Sequence, residues 1–398
     1  MSDSVKDFDL PWTWLDEGLR QLREQQLLRE RRTVETLPGG RCRVDGHEFW
    51  NFAGNDYLGL AGDERVRSAA MDAIQKSGAG SRASALVTGR TPWHNALETR
   101  LAEIKHAESA LLFPTGYAAN VGTLTALMGA DDVVFCDRLN HASLIDGCRL
   151  SGAKFRVYPH RDVDRLQQLL ERETVGRRRF IVTDSLFSMD GTQAPLRELA
   201  EVADRFEAIL IVDEAHATGI YGDHGTGLLE ANRVALSRVV SVGTLSKAIG
   251  SQGGFITGPR RLIDWLWNSA RTQMFSTALS PACCAAALAA IDLIEQEPER
   301  RTWLRETWQL VIQELRGQGW TVPEAVDGPI IPVIVETSER VLQLNDELRQ
   351  HGVFVAAIRP PTVPRNTARL RVSLSYDHGQ AGIDALLRAM HSARSPNM

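Results

Sequence analysis

Between residues 63 and 291, strand-like apolar runs alternate with stretches of helical periodicity, and this alternation restricts the fold more than any other feature of the chain. The clearest runs cover residues 110–113, 132–136, 154–158, 180–183, 208–212 and 239–242. Runs of this length, separated by helical segments, predict a mainly parallel sheet covered by helices. The character changes after a small-residue helix at 281–294. Helical patterns around 301–317 and 339–352 then flank strand patterns at 331–335, 353–357 and 369–374, as in a smaller α+β domain. At the other end, Trp12, Leu15, Leu19 and Leu22 fall on one helical face leading to the cluster Arg29, Arg31 and Arg32. Residues 41–52 alternate around Asp45-Gly46, which predicts a hairpin. The expected organisation is α/β, with an N-terminal segment at 1–55, a large domain at 56–290 and an α+β domain at 291–398.

Open α/β sheets bind ligands beyond the carboxyl ends of their strands, so the polar residues that follow the apolar runs carry the chemistry. Asp213-Glu214-Ala215-His216 follows the run at 208–212, and Thr244-Leu245-Ser246-Lys247 follows the run at 239–242. Lys247 is either a solvated charge or an amine whose depressed pKa suits imine formation. Asp213 is either a helix N-cap or the partner of a protonated ring nitrogen. A Schiff-base lysine with an aspartate against a pyridinium nitrogen is what pyridoxal 5′-phosphate (PLP) requires. His216 is placed to donate to that cofactor's phenolic oxygen, and Thr244 to bind its phosphate. Pro114-Thr115-Gly116-Tyr117 lies between a strand and a helix, where main-chain N–H groups can meet an anion. His141 and Ser188 follow two further strand runs; His141 is either structural or positioned to stack on a cofactor ring. Four strand ends thus offer polar groups to one crevice.

Composition excludes several other classes. The 398 residues carry a formal net charge of −5, which gives no support for broad binding to nucleic acid or anionic membranes. Five cysteines at 42, 136, 148, 283 and 284 show no metal-type spacing and no disulfide framework, in keeping with a reducing cytoplasm. Residues 1–11 are polar and acidic, unlike a signal peptide, and no apolar stretch is long enough to span a bilayer. Gly78-Ala79-Gly80-Ser81-Arg82-Ala83 matches a dinucleotide fingerprint, but a helical pattern precedes it where that motif needs a strand.

Asn55-Asp56-Tyr57-Leu58-Gly59-Leu60, Asn140-His141-Ala142-Ser143, Phe187-Ser188-Met189-Asp190-Gly191, Asp213-Glu214-Ala215-His216 and Thr244-Leu245-Ser246-Lys247 resemble the motifs of the α-oxoamine synthase family, in order and with compatible spacing. These are fold-type-I PLP enzymes that condense an amino acid with an acyl thioester and release carbon dioxide. The loop at 357–364 is similar to that of the biotin-pathway member, which joins L-alanine to a pimeloyl group carried on coenzyme A or acyl carrier protein. Asp184 and Ser185 depart from it, standing where Glu and Gly are common. The resemblance implies that Lys247 forms the Schiff base, Asp213 holds the ring nitrogen and His141 stacks on the ring. It implies that His216 and Ser188 contact ring substituents, and that Gly116, Tyr117 and Thr244 hold phosphate. Arg359 and Asn55 would orient the amino-acid carboxylate, with Arg29 and Thr362 as further substrate contacts. Family members are homodimers, so Ser276 and Thr277 would reach the phosphate of a neighbouring subunit. A glycine-using member, a PLP aminotransferase and a non-catalytic subunit are the alternatives; subunits of the last kind lose the lysine that this chain keeps.

Overall fold

The computed structural model of the protein describes residues 12–25, 27–29, 31–173 and 176–394, so the acidic start at 1–11 lies outside the described residues. Each of the six apolar runs becomes a strand of one sheet: Ser109–Phe113, Val133–Asp137, Lys154–Tyr158, Arg179–Asp184, Ile209–Asp213 and Val239–Thr244. Lys154–Tyr158, Val133–Asp137, Arg179–Asp184, Ile209–Asp213 and Val239–Thr244 pair in that order, all parallel. A seventh strand, Gly254–Gly258, runs antiparallel between Val239–Thr244 and Ser109–Phe113. The sequence reading leaves this strand unassigned because glycine bounds it on both sides and glycine disfavours strands. Gly254 has a steric reason to be there: a Cβ would collide with the Thr115 carbonyl.

Successive residues of these strands point to opposite faces, and the core divides accordingly. Val133, Phe135, Leu210, Val212 and Phe255 enter one apolar cluster, whereas Val134, Cys136, Ile211, Val242 and Ile256 enter the other. Burying each large side chain completely contributes about 1.5–3 kcal/mol, so both faces of the sheet are strongly held. The same alternation sends Asp213 and Glu214 to opposite sides, which matters below.

The expected hairpin forms, with Val44 opposite His47 and both Asp45 (φ 51°) and Gly46 (φ 82°) left-handed. That is the geometry a two-residue hairpin turn requires. A further strand, Val34–Leu37, extends it, and His47–Asn51 pairs in parallel with Val353–Phe354. The expected single strand at 353–357 is divided: Ala356–Ile358 joins a separate sheet with Ala368–Ser373 and Ile330–Glu336. N-terminal and C-terminal segments therefore share a sheet, and position 290 lies inside the helix Pro281–Gln296. The N-terminal helix Thr13–Glu24 buries none of its residues; Trp12, Leu15, Leu19 and Leu22 remain exposed. Helix Glu64–Ser77 precedes Gly78, so the dinucleotide fingerprint lacks its strand. All five cysteines are free. No described helix is long and apolar enough to cross a membrane.

Candidate active site

The carboxyl ends of the central strands converge on a cavity of about 200 Å³. Lys247, Asp213, His141, His216, Thr244, Gly116 and Tyr117 all line it. Asp213 is the last residue of its strand and is buried. Its Oδ1 accepts the main-chain N–H of Ala215 at 2.8 Å, and its Oδ2 accepts from Asn120 Nδ2 at 2.6 Å. Two donors thus fix the carboxylate plane. Asn120 comes from the helix Gly116–Leu127, so the helix that opens the cavity also braces the acid.

Lys247 follows the strand Val239–Thr244 in a loop closed by the Gly250 N–H to the Lys247 carbonyl and the Leu245 N–H to the Gly253 carbonyl. Its amine makes no hydrogen bond or ion pair with any described residue. Burial lowers its pKa from the usual lysine value, with Arg371 adding to the effect and Asp213 and Asp184 opposing it. This is the setting of a nucleophilic amine.

His141 caps the helix Ala142–Leu150, and its main-chain N–H donates to Asp184 Oδ2 at 2.6 Å. Burial lowers the pKa of the His141 ring. Burial also holds His216 well below the usual histidine value, so that ring is neutral. Its Nδ1 lies 2.7 Å from the Tyr57 hydroxyl. Asp184, the departure noted in the sequence, is buried in the cavity wall; burial and then Asp213 push its carboxyl well above the ordinary range.

At the far end, Thr115 caps the helix Gly116–Leu127, its hydroxyl accepting from the Ala118 N–H at 3.0 Å. A Cβ on Gly116 would sit 3.3 Å from Thr244, so glycine keeps the helix N-terminus open beside that side chain. Thr244 Oγ1 and Ser246 Oγ are 2.8 Å apart on the facing loop. Main-chain N–H groups and two hydroxyls around a helix N-terminus form an anion site. Tyr117 is half-exposed and its hydroxyl donates to Asp146 at 2.8 Å.

The remaining candidates lie outside this cavity. Asn55 Oδ1 accepts from Arg371 Nη2 at 3.0 Å, and Arg371 Nε donates to the Ser188 carbonyl at 2.6 Å. Arg371 is not among the candidates that the sequence motifs point to. Its signal was available: an arginine in the strand Ala368–Ser373, whose six residues are all buried, needs partners. Arg359, beside the pair Arg29 and Thr362, occupies a different place. Arg29 Nη2 donates to Thr362 Oγ1 at 2.9 Å, and burial with the Arg29 charge lowers the Arg359 pKa. Ser276 is half-buried and Thr277 exposed; Thr277 bridges Ser84 at a separate edge.

A larger cavity of about 530 Å³ opens on the other side of Asp213-Glu214. Its charged floor is an ion pair, Lys105 to Glu214 at 2.8 Å, whose groups satisfy one another. Among the described residues, the smaller cavity combines an unpaired amine, a braced carboxylate, two imidazoles with lowered pKa and an anion site. That donor set suits PLP: carboxylate for the ring nitrogen, amine for the aldehyde, helix N-terminus for phosphate.

Residues 47–390 match the aminotransferase class I and II family, and the chain belongs to that family, whose fold is the fold-type-I architecture described above. It is 49% identical over 377 residues to the 8-amino-7-oxononanoate synthase of Anaeromyxobacter dehalogenans (strain 2CP-1), covering 95% of this chain and 94% of that one. It is 43% identical over 380 residues to 8-amino-7-oxononanoate synthase 2 of Bacillus subtilis (strain 168), covering 96% and 97%. Among solved structures, it superposes on SPT with a PLP internal aldimine at a TM-score of 0.91 and 27% identity, covering 96% of this chain and 97% of that one. For the 8-amino-7-oxononanoate synthase of Francisella tularensis the TM-score is 0.75 at 27% identity, covering 86% and 97%.

Proposed function

We propose that this chain condenses L-alanine with a pimeloyl thioester, on coenzyme A or acyl carrier protein, to give 8-amino-7-oxononanoate, carbon dioxide and the free thiol in biotin biosynthesis. PLP is its cofactor and supplies an electron sink for a carbanion at the amino acid's Cα. The convergence of Asp213, Lys247 and His141 on one cavity carries the reading. Asp213, braced by two donors, would hold the ring nitrogen. Lys247 would serve as the base for the Cα proton, because burial favours its neutral form. Gly116, Tyr117 and Thr244 hold the phosphate end. His141 would stack on the cofactor ring and stabilise negative charge on an acyl oxygen, and His216 and Ser188 would contact the ring substituents.

Arg371 and Asn55 hold the alanine carboxylate. The guanidinium has five N–H donors. Four go to the Ser188 carbonyl, Ser373 Oγ, Asn55 Oδ1 and Tyr57 Oη, leaving one for substrate. Arg29, Arg359 and Thr362 lie together and receive the acyl chain's polar end. A second copy covers the exposed face of the N-terminal helix and is reached by the half-buried Ser276 and the exposed Thr277.

Purified protein should bind PLP and turn yellow, and borohydride should fix the cofactor on Lys247. Alanine with pimeloyl-coenzyme A should release thiol at least about 10-fold faster than glycine with acetyl-coenzyme A, a margin that methyl recognition can supply. A colourless protein that PLP does not reconstitute sinks the cofactor role. Preference for glycine sinks the substrate choice alone.

A further inference from the structure

Behind Asp213, buried polar groups form a continuous chain to His141. Asn120 Nδ2 donates to Asp213 Oδ2 at 2.6 Å and to Ser143 Oγ at 2.9 Å. Asn120 Oδ1 has no partner, so these two donations are all that the amide makes. The reversed amide would aim its oxygen at a carboxylate, which fixes the orientation. Ser143 Oγ therefore accepts from Asn120, and its single hydrogen goes to His141 Nδ1, 2.7 Å away. The Ser143 main-chain N–H reaches the same nitrogen at 3.3 Å. Two donors on Nδ1 leave it no hydrogen of its own. Asn120 and Ser143 are 2% and 0% exposed, so solvent does not compete for these bonds.

We propose that Asn120 and Ser143 are positioning residues that lock His141 as the Nε2–H tautomer and tie its ring to the Asp213 carboxylate. The ring's only hydrogen is then on the nitrogen that remains for a group in the cavity. In a Nδ1–H ring the Ser143 hydroxyl would lose its acceptor, and Asn120 would face a hydroxyl with nowhere to donate. The chain also disfavours the doubly protonated ring. That agrees with the lowered His141 pKa, for which burial is the first cause and Lys247 a second, against Asp213 and Asp146. Asp184, on the main-chain N–H, and neutral His216 complete the titratable surroundings. The role in turnover rests on the proposed function; the tautomer does not.

The test is nitrogen NMR of histidine-labelled protein without added cofactor, with His141 assigned by its loss in His141→Asn. The expected result at neutral pH is a protonated Nε2 and an unprotonated Nδ1. A protonated Nδ1 in the unmodified chain overturns the proposal, and this measurement needs no folded variant. Ser143→Ala should raise the His141 apparent pKa and admit the second tautomer. It should also lower kcat/KM about 10-fold and move the acid limb of its pH profile upward, because the neutral ring loses its hydroxyl donor. Unchanged tautomer and unchanged acid limb in that variant overturn the proposal too. Failure of the chain to bind PLP would sink the proposed function while leaving the tautomer result intact.

Discussion

Asp213 and Glu214 are neighbours in sequence, face opposite sides of the sheet, and each lies near a lysine. On one side, Lys105 places its three hydrogens on Glu214 Oε2 at 2.8 Å, Thr218 Oγ1 at 2.9 Å and the Thr226 carbonyl. Glu214 in turn accepts from the Leu229 N–H at 2.9 Å and Ser241 Oγ at 3.3 Å. On the other side, Lys247 has no hydrogen-bond partner among the described residues, and each oxygen of Asp213 already accepts one hydrogen bond, from Asn120 and from the Ala215 N–H. A buried lysine with every hydrogen placed on a protein acceptor is a structural group. A buried lysine denied partners is pushed toward its neutral, nucleophilic form. The difference between scaffold and reagent at this strand end is the number of acceptors that each cation is given.

The largest expected effect separates the two on activity. Lys247→Met should lower turnover at least about 1000-fold, since no other amine lines the cavity. Its stability without cofactor should hold or rise. A lysine whose folded pKa is depressed gains stability only above its ordinary value and loses it as pH falls through the folded one, so near neutrality its charge is a cost. Lys105→Met should do the reverse. It leaves Glu214 buried and unpaired, a loss of about 3–5 kcal/mol in urea unfolding, while the folded fraction still binds PLP. The contrast breaks if Lys247→Met unfolds the chain more readily than Lys105→Met.

Much of this contrast could be read from residue order, and part could not. The six apolar runs predicted the central strands to within two residues, because strands buried on both faces are written as continuous apolar stretches. The crevice residues followed from the rule that ligands sit at strand ends. Lys105 was invisible: it ends a helix, and the acceptors around it lie more than a hundred residues away. Arg371 was missed for a related reason. It sits between the apolar Leu370 and Val372, and its partners Ser188, Asn55 and Tyr57 lie more than a hundred residues away in the sequence. Gly254–Gly258 was hidden because the close backbone approach that demands glycine also erases strand propensity.

A third buried base extends the comparison to pH. His378 has both ring nitrogens committed: Nδ1 accepts from the Ser375 N–H at 3.0 Å and Nε2–H donates to the Asn51 carbonyl at 2.9 Å. Burial lowers its pKa from 6.5 to about 4, against a smaller opposing effect of the Asn51 carbonyl. A depressed histidine contributes stability in full above 6.5 and loses it as pH falls toward about 4, where the folded ring finally protonates. The gap corresponds to on the order of 3 kcal/mol across that window. His378→Gln should flatten this part of the stability–pH curve. If the variant keeps the wild-type acid slope, the buried His378 ring is not the source of that slope.

Arg371 lies between the two extremes, mostly committed but with one donor to spare. Arg371→Lys keeps a positive charge near Lys247 and His216, whose pKa values it helps to lower. It cannot keep the fork, because an ammonium has three donors where the guanidinium already places four. The lysine should satisfy Ser188 and Asn55 first and leave nothing for a substrate carboxylate. KM for alanine should rise about 10- to 100-fold, with the PLP absorbance unchanged and the KM for the pimeloyl thioester close to wild type. The split between substrates gives the measurement its force. A rise confined to the thioester would move the carboxylate site to the Arg29, Arg359 and Thr362 group. A loss of PLP absorbance would mean that Arg371 holds the cavity's shape, making it a scaffold residue like Lys105.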